Sequence, residues 1–546
     1  MNLLETARAW ADADPHDGDR AEIEALIEAA PTDPGAHTEL ERRFAGPLTF
    51  GTAGLRGPLR AGPAGMNAAV VTRAAAGLGR WLADAGHAGG GVVIGFDARR
   101  RSDEFARVSA AVLAGAGFAV QVLPRPLPTP VLSFAVRHLG CVAGVMVTAS
   151  HNPPDDNGYK VYLDDGAQLV PPADREIEAA IAAVGPAREV PTSDDWLTLG
   201  DDVEADYVGA VVRALDPSTV PVIVRQGLTV AYTAMHGVGA ATTRAVFAAA
   251  GFAPPVSVPE QDEPDPAFPT VAFPNPEEPG AVDLLQGLAE QLAADVAIAE
   301  DPDADRCSVV CGGRQLTGDE VGGLLGDWLL RRGVRGTYAA SLVSGSLLHA
   351  LTEAHGVRFA ETPTGFKWIV RAGTPEQPLV FGYEEALGYA VAPDVVKDKD
   401  GISAALAVAL LAAELRATGR TLTDRLDELA LEHGLFATGQ LSVRVEDLSR
   451  IGAMMARLRS DPPRRLLGRE VVASDLLDEA PAVDAVRLLG NGVRVIVRPS
   501  GTEPKLKAYL ETVVPVHEDA GIIAARGRGA DELDQLRTEM AAALGL

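Results

Sequence analysis

Short, wholly apolar runs alternate along this chain with longer stretches of helical period, and the alternation predicts an α/β architecture. Residues 91–97 read as a buried strand ending in a loop, 104–114 as a helix, 118–123 as a strand, 131–139 as a helix and 141–147 as a third strand. Continuous apolar strands separated by 10–15-residue helices are the mark of parallel α/β layers. The pattern restarts with a strand at 228–232, a helix at 240–250 and a strand at 296–299, and again with a helix at 321–330 and strands at 338–342 and 379–382. The tail differs: strands are expected at 440–445, 493–498 and 506–513, with helices at 448–458 and 531–543. Ahead of all this, residues 6–43 read as acidic helices, and Pro- and acid-rich stretches at 184–195, 254–279 and 460–482 mark candidate seams. The fold class expected is α/β: three similar α/β units and a smaller α+β C-terminal unit.

Length and composition sharpen this picture. At 546 residues the chain exceeds what one core supports, and 47% hydrophobic residues suffice for several. A net charge of −27 argues against non-specific coating of nucleic acid or an anionic membrane, while leaving room for a local cationic pocket. Cys141, Cys307 and Cys311 make no disulfide framework and no C-x-x-C pair. No basic-then-apolar leader opens the chain and no apolar stretch is long enough to span a bilayer, so a cytoplasmic protein with no membrane partner is expected, as monomer or dimer.

Four loops carry chemistry. Thr148-Ala-Ser150-His151-Asn152-Pro153-Pro154, followed by Asn157-Gly158-Tyr159-Lys160, sits just past an expected strand, where open α/β sheets bind ligands. The prolines make it a stiff loop presenting Ser150, with no G-x-S-x-G around it to suggest a hydrolase triad. Asp301-Pro-Asp303-Ala-Asp305-Arg306 brings three carboxylates close enough to converge on a hard cation such as Mg²⁺, whereas Arg306 and Gly312 stand where a calcium-binding EF-hand loop needs Gly and Glu. Arg498-Pro-Ser500-Gly501-Thr502-Glu503-Pro504-Lys505-Leu-Lys507 offers a phosphate both a guanidinium fork and neutral donors. Gly382-Tyr-Glu384-Glu385 pairs carboxylates that suit sugar hydroxyls, and the polar loops around Thr364-Gly365 and Lys399 add candidate substrate contacts. Gly237-Val-Gly239-Ala-Ala-Thr242 approaches a dinucleotide-binding fingerprint but lacks its third glycine, so a tight strand-to-helix turn is expected there. No P-loop motif occurs.

Taken in order with Thr49-Phe-Gly-Thr-Ala-Gly-Leu-Arg56-Gly57, these motifs resemble those of the α-D-phosphohexomutase superfamily, the phosphoglucomutase/phosphomannomutase group, over roughly residues 45–515. The opening motif and extra N-terminal helices are most similar to its phosphoglucomutase-2/phosphopentomutase-like branch. The resemblance implies four domains around a central cleft, the first three with mixed sheets: a helical appendage at 1–45, a phosphoserine-loop domain at 46–205, a metal-loop domain at 206–318, a sugar-loop domain at 319–435 and a phosphate-loop domain at 436–546. It implies a phosphoserine at Ser150, with His151 beside it. Mg²⁺ would lie on Asp301, Asp303, Asp305 and the Ser150 phosphate, and Arg56, Lys160 and Arg306 would be cations around the transferring group. Lys160 would be a general acid/base if neighbouring cations lower its pKa. Arg498, Ser500, Gly501, Thr502 and Lys507 would hold the non-reacting phosphate, and Glu384, Glu385, Thr364, Gly365 and Lys399 would face the sugar. A sugar bisphosphate would serve as intermediate and activator. The reaction implied interconverts a sugar 1-phosphate and 6-phosphate; alternatives are a phosphopentomutase and, remotely, a haloacid-dehalogenase-like phosphatase with Asp301 as nucleophile. Ala386 and Tyr389 depart from the Ser and His that many relatives carry near the sugar loop, which leaves the sugar open.

Overall fold

Val92, Val93 and Ile94 are completely buried, which is why their apolar run reads as a strand: parallel strands covered on both faces need no polar side. The computed structural model describes residues 2–51, 54–445, 447, 449–500, 505–518 and 521–546. Two compact units divide the chain: Met1–Gln315 together with Gly388–Ala413, and Leu316–Leu387 together with Glu414–Leu546.

The first unit holds two sheets. In the first, Gly91–Phe96 runs parallel to Ala119–Val122 and Ala143–Val147. Asp156–Leu163 then pairs antiparallel with Ala143–Val147, and Gly54–Pro58 antiparallel with Asp156–Leu163. The helices Ser102–Gly115 and Thr129–His138 connect the parallel strands, each starting a few residues earlier than its periodicity suggests. The second sheet places Val230–Thr233 between the parallel strands Val256–Ser257 and Val296–Glu300. Cys307–Cys311 then turns back antiparallel, so Asp301–Arg306 is the connection of a tight hairpin. The three helices Leu3–Ala13, Asp17–Ala29 and Pro34–Arg43 pack their own apolar cluster around Ala7, Ile23, Ile27 and Leu40. Arg101 forks onto Asp19 at 2.7 and 2.9 Å and anchors them.

The incomplete glycine fingerprint is a packing device. A Cβ on Gly237 would lie 2.4 Å from the Pro302 Cα and carbonyl oxygen, and the next residue, Val238, donates its N–H to Pro302 O at 2.9 Å. Glycine is there so that the turn before the helix Gly239–Ala249 can touch the Asp301–Arg306 loop.

In the second unit, Thr337–Ser341 is flanked by the parallel strands Arg358–Thr362 and Leu379–Glu384. The other sheet is antiparallel, in the order Leu435–Arg444, Lys505–Val514, Val493–Pro499, Val486–Gly490, Arg469–Asp475, Arg465–Leu466. The helices Ser449–Ser460 and Ile522–Leu544 contribute Leu458, Leu536 and Met540 to its apolar core. The stretch 460–482 is therefore no seam: it carries two strands of this sheet. Cys141, Cys307 and Cys311 are buried free thiols. Among the described residues no helix is long and apolar enough to cross a membrane.

Candidate active site

The loop after Ala143–Val147 presents Ser150 in the left-handed region, φ 51°, a conformation costly for a residue with a side chain. Two groups hold it there. Ser150 donates its main-chain N–H to Thr148 Oγ1 at 2.8 Å. Beneath, Arg99 aims its guanidinium at four loop carbonyls: Ser150 (2.7 Å), Asn152 (2.6 Å), Pro153 (2.8 Å) and Asp156 (3.2 Å). Arg99 is 4% exposed, stacks on the Phe268 ring at 4.9 Å and has Asp97 3.6 Å from its Nε. Nothing in the sequence singled it out, because loop carbonyls leave no trace in residue type. Arg99→Ala leaves Asp97 without its counter-charge and is expected to lower stability by roughly 3–5 kcal/mol. Urea denaturation measures this, and a loss under about 1 kcal/mol would show that the clamp is dispensable.

Ser150 Oγ donates to Asp301 Oδ2 at 2.7 Å and lies 3.1 Å from His151 Nδ1. Asp301, Asp303 and Asp305 are completely buried, with one carboxylate oxygen from each within 4.8 Å of the others. Lys160, from the strand Asp156–Leu163, bridges Asp303 Oδ2 (2.7 Å) and Asp305 Oδ2 (2.9 Å). Lys399 places its ammonium 3.3 Å from Asp305 Oδ2 and 3.7 Å from Asp398 Oδ1, so this candidate sugar contact reaches the acid cluster. Arg306 gives its main-chain N–H to Asp301 Oδ1 at 3.0 Å, and its guanidinium meets Glu277 at 3.2 Å. Arg56 donates to Asn152 Oδ1 at 2.9 Å from the edge strand Gly54–Pro58. Ser150, His151, Lys160, Arg306 and the three aspartates thus come together; Arg56 reaches the same serine loop.

The electrostatics divide the carboxylates. Burial, then the Asp303 and Asp305 charges, push the Asp301 carboxyl well above its usual range. Asp303 and Asp305 are buried as deeply, yet Lys160 holds both below it, with Lys399 and Arg306 helping at Asp305. His151 is driven well below its ordinary value by burial and by the Arg306 and Arg56 cations, so its imidazole is neutral at physiological pH. Lys160 corrects an expectation. Burial disfavours its charge, but Asp303 and Asp305 outweigh burial and hold its pKa above the ordinary value, not below. With these carboxylates bare, Lys160 is a fixed ammonium and no base.

In the second unit the remaining candidates occupy two loop sets. Ser341 is in register with Thr362 and Ala340 with Tyr383, so the loops carrying Thr364-Gly365 and Glu384-Glu385 leave the same carboxyl end of the parallel strands. Glu385 Oε2 accepts from Ser341 Oγ (3.2 Å) and Ser344 Oγ (3.4 Å), and Gly365 takes φ 110°, a left-handed value suited to glycine. In the antiparallel sheet Arg498 is paired directly across from Lys507, and Ser500 N–H donates to Lys505 O at 2.8 Å. Gly501 and Thr502 lie outside the described residues.

Four family profiles match the chain in order: phosphoglucomutase/phosphomannomutase alpha/beta/alpha domain I over residues 47–187, domain II over 205–314, domain III over 317–432 and the C-terminal domain over 441–525. The chain belongs to the phosphoglucomutase/phosphomannomutase family. It has that family's four-domain α/β architecture, as the motif order implied. It is 43% identical to the Haemophilus influenzae protein named "Probable phosphomannomutase" over 490 residues, covering 87% of this chain and 96% of the relative. It is 35% identical to Mus musculus phosphopentomutase over 539 residues, covering 88% and 86%. A crystal structure of a Thermus thermophilus protein assigned as a phosphomannomutase superposes with a TM-score of 0.71 at 29% identity, covering 90% of this chain and 99% of that one. Family members are phosphomutases, and nothing in these likenesses favours the phosphatase alternative.

Proposed function

We propose that this phosphoglucomutase/phosphomannomutase family member interconverts hexose 1-phosphates and 6-phosphates through a phosphoserine at Ser150. The observation that carries the reading is the Ser150 hydroxyl held 2.7 Å from Asp301 Oδ2, at the edge of three buried aspartates and a ring of cations. Phosphoryl transfer needs alignment and charge neutralisation more than covalent assistance, and this cluster supplies both.

A magnesium ion fits the aspartates. Asp303 Oδ1 and Asp305 Oδ1 are buried without a hydrogen-bond partner, and an all-oxygen set is what a hard cation takes. Asp301, Asp303 and Asp305 would hold it, and when bound it withdraws charge from the serine phosphate. The other roles fall to the chain. Arg56 and Arg306 would face the oxygens of the moving phosphoryl, with Lys160 as a further cation beside it. Neutral His151 is placed to accept a proton near Ser150 Oγ. In the forward half the P–O bond to Ser150 breaks as one forms to a free sugar hydroxyl, whose proton passes to the neutral His151 imidazole. The bisphosphate then reorients and returns its other phosphoryl to Ser150. Arg498, Ser500, Gly501, Thr502 and Lys507 hold the phosphate that does not react, and Thr364, Gly365, Glu384, Glu385 and Lys399 meet the sugar.

Likeness to the Haemophilus influenzae relative favours a hexose; the mouse phosphopentomutase is the ground for a second reading, ribose 1-phosphate to 5-phosphate. Measuring kcat/KM on glucose 1-phosphate, mannose 1-phosphate and ribose 1-phosphate, each with its bisphosphate, separates them. A hexose phosphate is expected to lead the pentose by about tenfold or more. Ribose 1-phosphate as the best substrate would overturn the hexose assignment and leave the mutase chemistry standing.

A further inference from the structure

Thr129 sits in the first turn of the helix Thr129–His138, between Pro128 and Pro130, and is completely buried. A threonine there ordinarily turns its hydroxyl to its own helix end. Here the hydroxyl leaves its own sheet: Oγ1 donates to Asp303 Oδ2 at 2.6 Å, and the Thr129 N–H donates to Asp303 O at 3.0 Å. That N–H is one of the donors a helix leaves without an internal partner. The proline on either side stiffens the segment, and a β-branched side chain has few rotamers, so the donor is fixed in place.

The consequence lies in the carboxylate. Lys160 Nζ reaches the same oxygen at 2.7 Å, so Oδ2 carries two donors while Oδ1 is buried with none. Lys160 alone would not decide this, because its flexible ammonium is shared with Asp305 Oδ2. Resting on the metal reading above, we propose that Thr129 is a positioning residue for the cation site, fixing Asp303 as a one-oxygen ligand. A carboxylate with one oxygen already saturated cannot chelate with both. Mg²⁺ accepts single carboxylate oxygens in a small octahedral shell, whereas the larger Ca²⁺ also takes carboxylates by both oxygens. Pinning Oδ2 therefore raises affinity for the smaller ion and discriminates against the larger.

The test uses the full-length protein and direct cation binding. Mn²⁺ is titrated by its electron paramagnetic resonance signal, then displaced by Mg²⁺ or by Ca²⁺, for wild type, Thr129→Val, Thr129→Ser and Asp303→Asn. Val keeps the shape and loses the hydroxyl; Ser keeps the hydroxyl. Thr129→Val is expected to weaken Mg²⁺ by about tenfold, as loss of an outer partner of a ligand does, and to narrow the Mg²⁺-over-Ca²⁺ ratio. Thr129→Ser should stay within about twofold of wild type. Melting in the presence of a chelator reports whether the Val variant folds. Equal affinities in wild type and Thr129→Val, or a Ser variant as weak as Val, would overturn the role of Thr129 and leave the metal site intact. Wild-type Mn²⁺ binding that Asp303→Asn does not weaken would overturn the metal reading itself, and the Thr129 role with it.

Discussion

Ser150→Ala is expected to lose roughly 10⁴–10⁶-fold in kcat, the scale on which enzymes lose activity with their nucleophile. The substitution removes a single oxygen. The loop it sits in is held by main-chain groups, the Arg99 guanidinium on four carbonyls and the Ser150 N–H on Thr148, and alanine disturbs none of them. What disappears is the atom 2.7 Å from Asp301 Oδ2, the one proposed to carry the phosphoryl group. Loss of that hydrogen bond costs stability about 1–3 kcal/mol at most. A 10⁴-fold fall in rate corresponds to about 5 kcal/mol of transition-state stabilisation, so the two effects are separable by size. Intact-protein mass spectrometry after exposure to a sugar bisphosphate should show one added phosphoryl group on wild type, mapping to Ser150, and none on the variant. Full turnover by Ser150→Ala would end the phosphoserine reading.

How this site could be seen in the sequence, and where it could not, follows from what each residue does. The parallel strands were legible because burial on both faces makes them apolar throughout, as Val92 to Ile94 and Ala143 to Val147 are. Asp156–Leu163 was not, although it is almost wholly buried: Asp156, Asn157 and Lys160 interrupt the apolar run. Those polar positions are there for partners, Asn157 for Arg100 O and Lys160 for the aspartates. The strands Arg469–Asp475 and Val486–Gly490 were hidden differently. They lie within a sheet with one open face, Val472 and Leu489 are cross-strand neighbours exposed 75% and 52%, and the surrounding charges resemble a linker. Among the site residues, those whose chemistry is unusual for their place stood out: three close aspartates, a serine framed by prolines. Arg99 and Thr129 act on atoms 51 and 174 positions away, and no local pattern encodes such a partner.

The acid cluster makes the second large expectation a contrast between stability and activity. Asp301 is raised by burial and by Asp303 and Asp305, so its folded pKa lies above its unfolded one. Such a group binds its proton more tightly when folded; its contribution is full at low pH and is lost as pH rises through the folded value, so without a cation it is ionisation of Asp301 that strains the fold. Asp303→Asn deletes one of the charges responsible. The cation-free variant is expected to melt close to wild type, because relief of repulsion at Asp301 opposes loss of the Lys160 contact that holds Asp303 charged. With Mg²⁺ the two separate. A ligand that binds only the folded state at a hundred times its Kd adds about 2.7 kcal/mol, and that shift should appear in wild type and shrink or vanish in the variant. Turnover should fall on the order of 10³–10⁴-fold, since a cation at a transferring phosphoryl is worth several kcal/mol. The asparagine amide can still offer its oxygen to Lys160 or Thr129, but then it turns an NH₂ group toward the cation in place of the orphaned Oδ1. Thermal melts with and without Mg²⁺, run beside kcat over the same titration, read both halves. A variant that keeps the Mg²⁺-dependent shift and its turnover would remove Asp303 from the metal site; a variant that melts far below wild type in chelator would show that the cluster is a structural ion network instead.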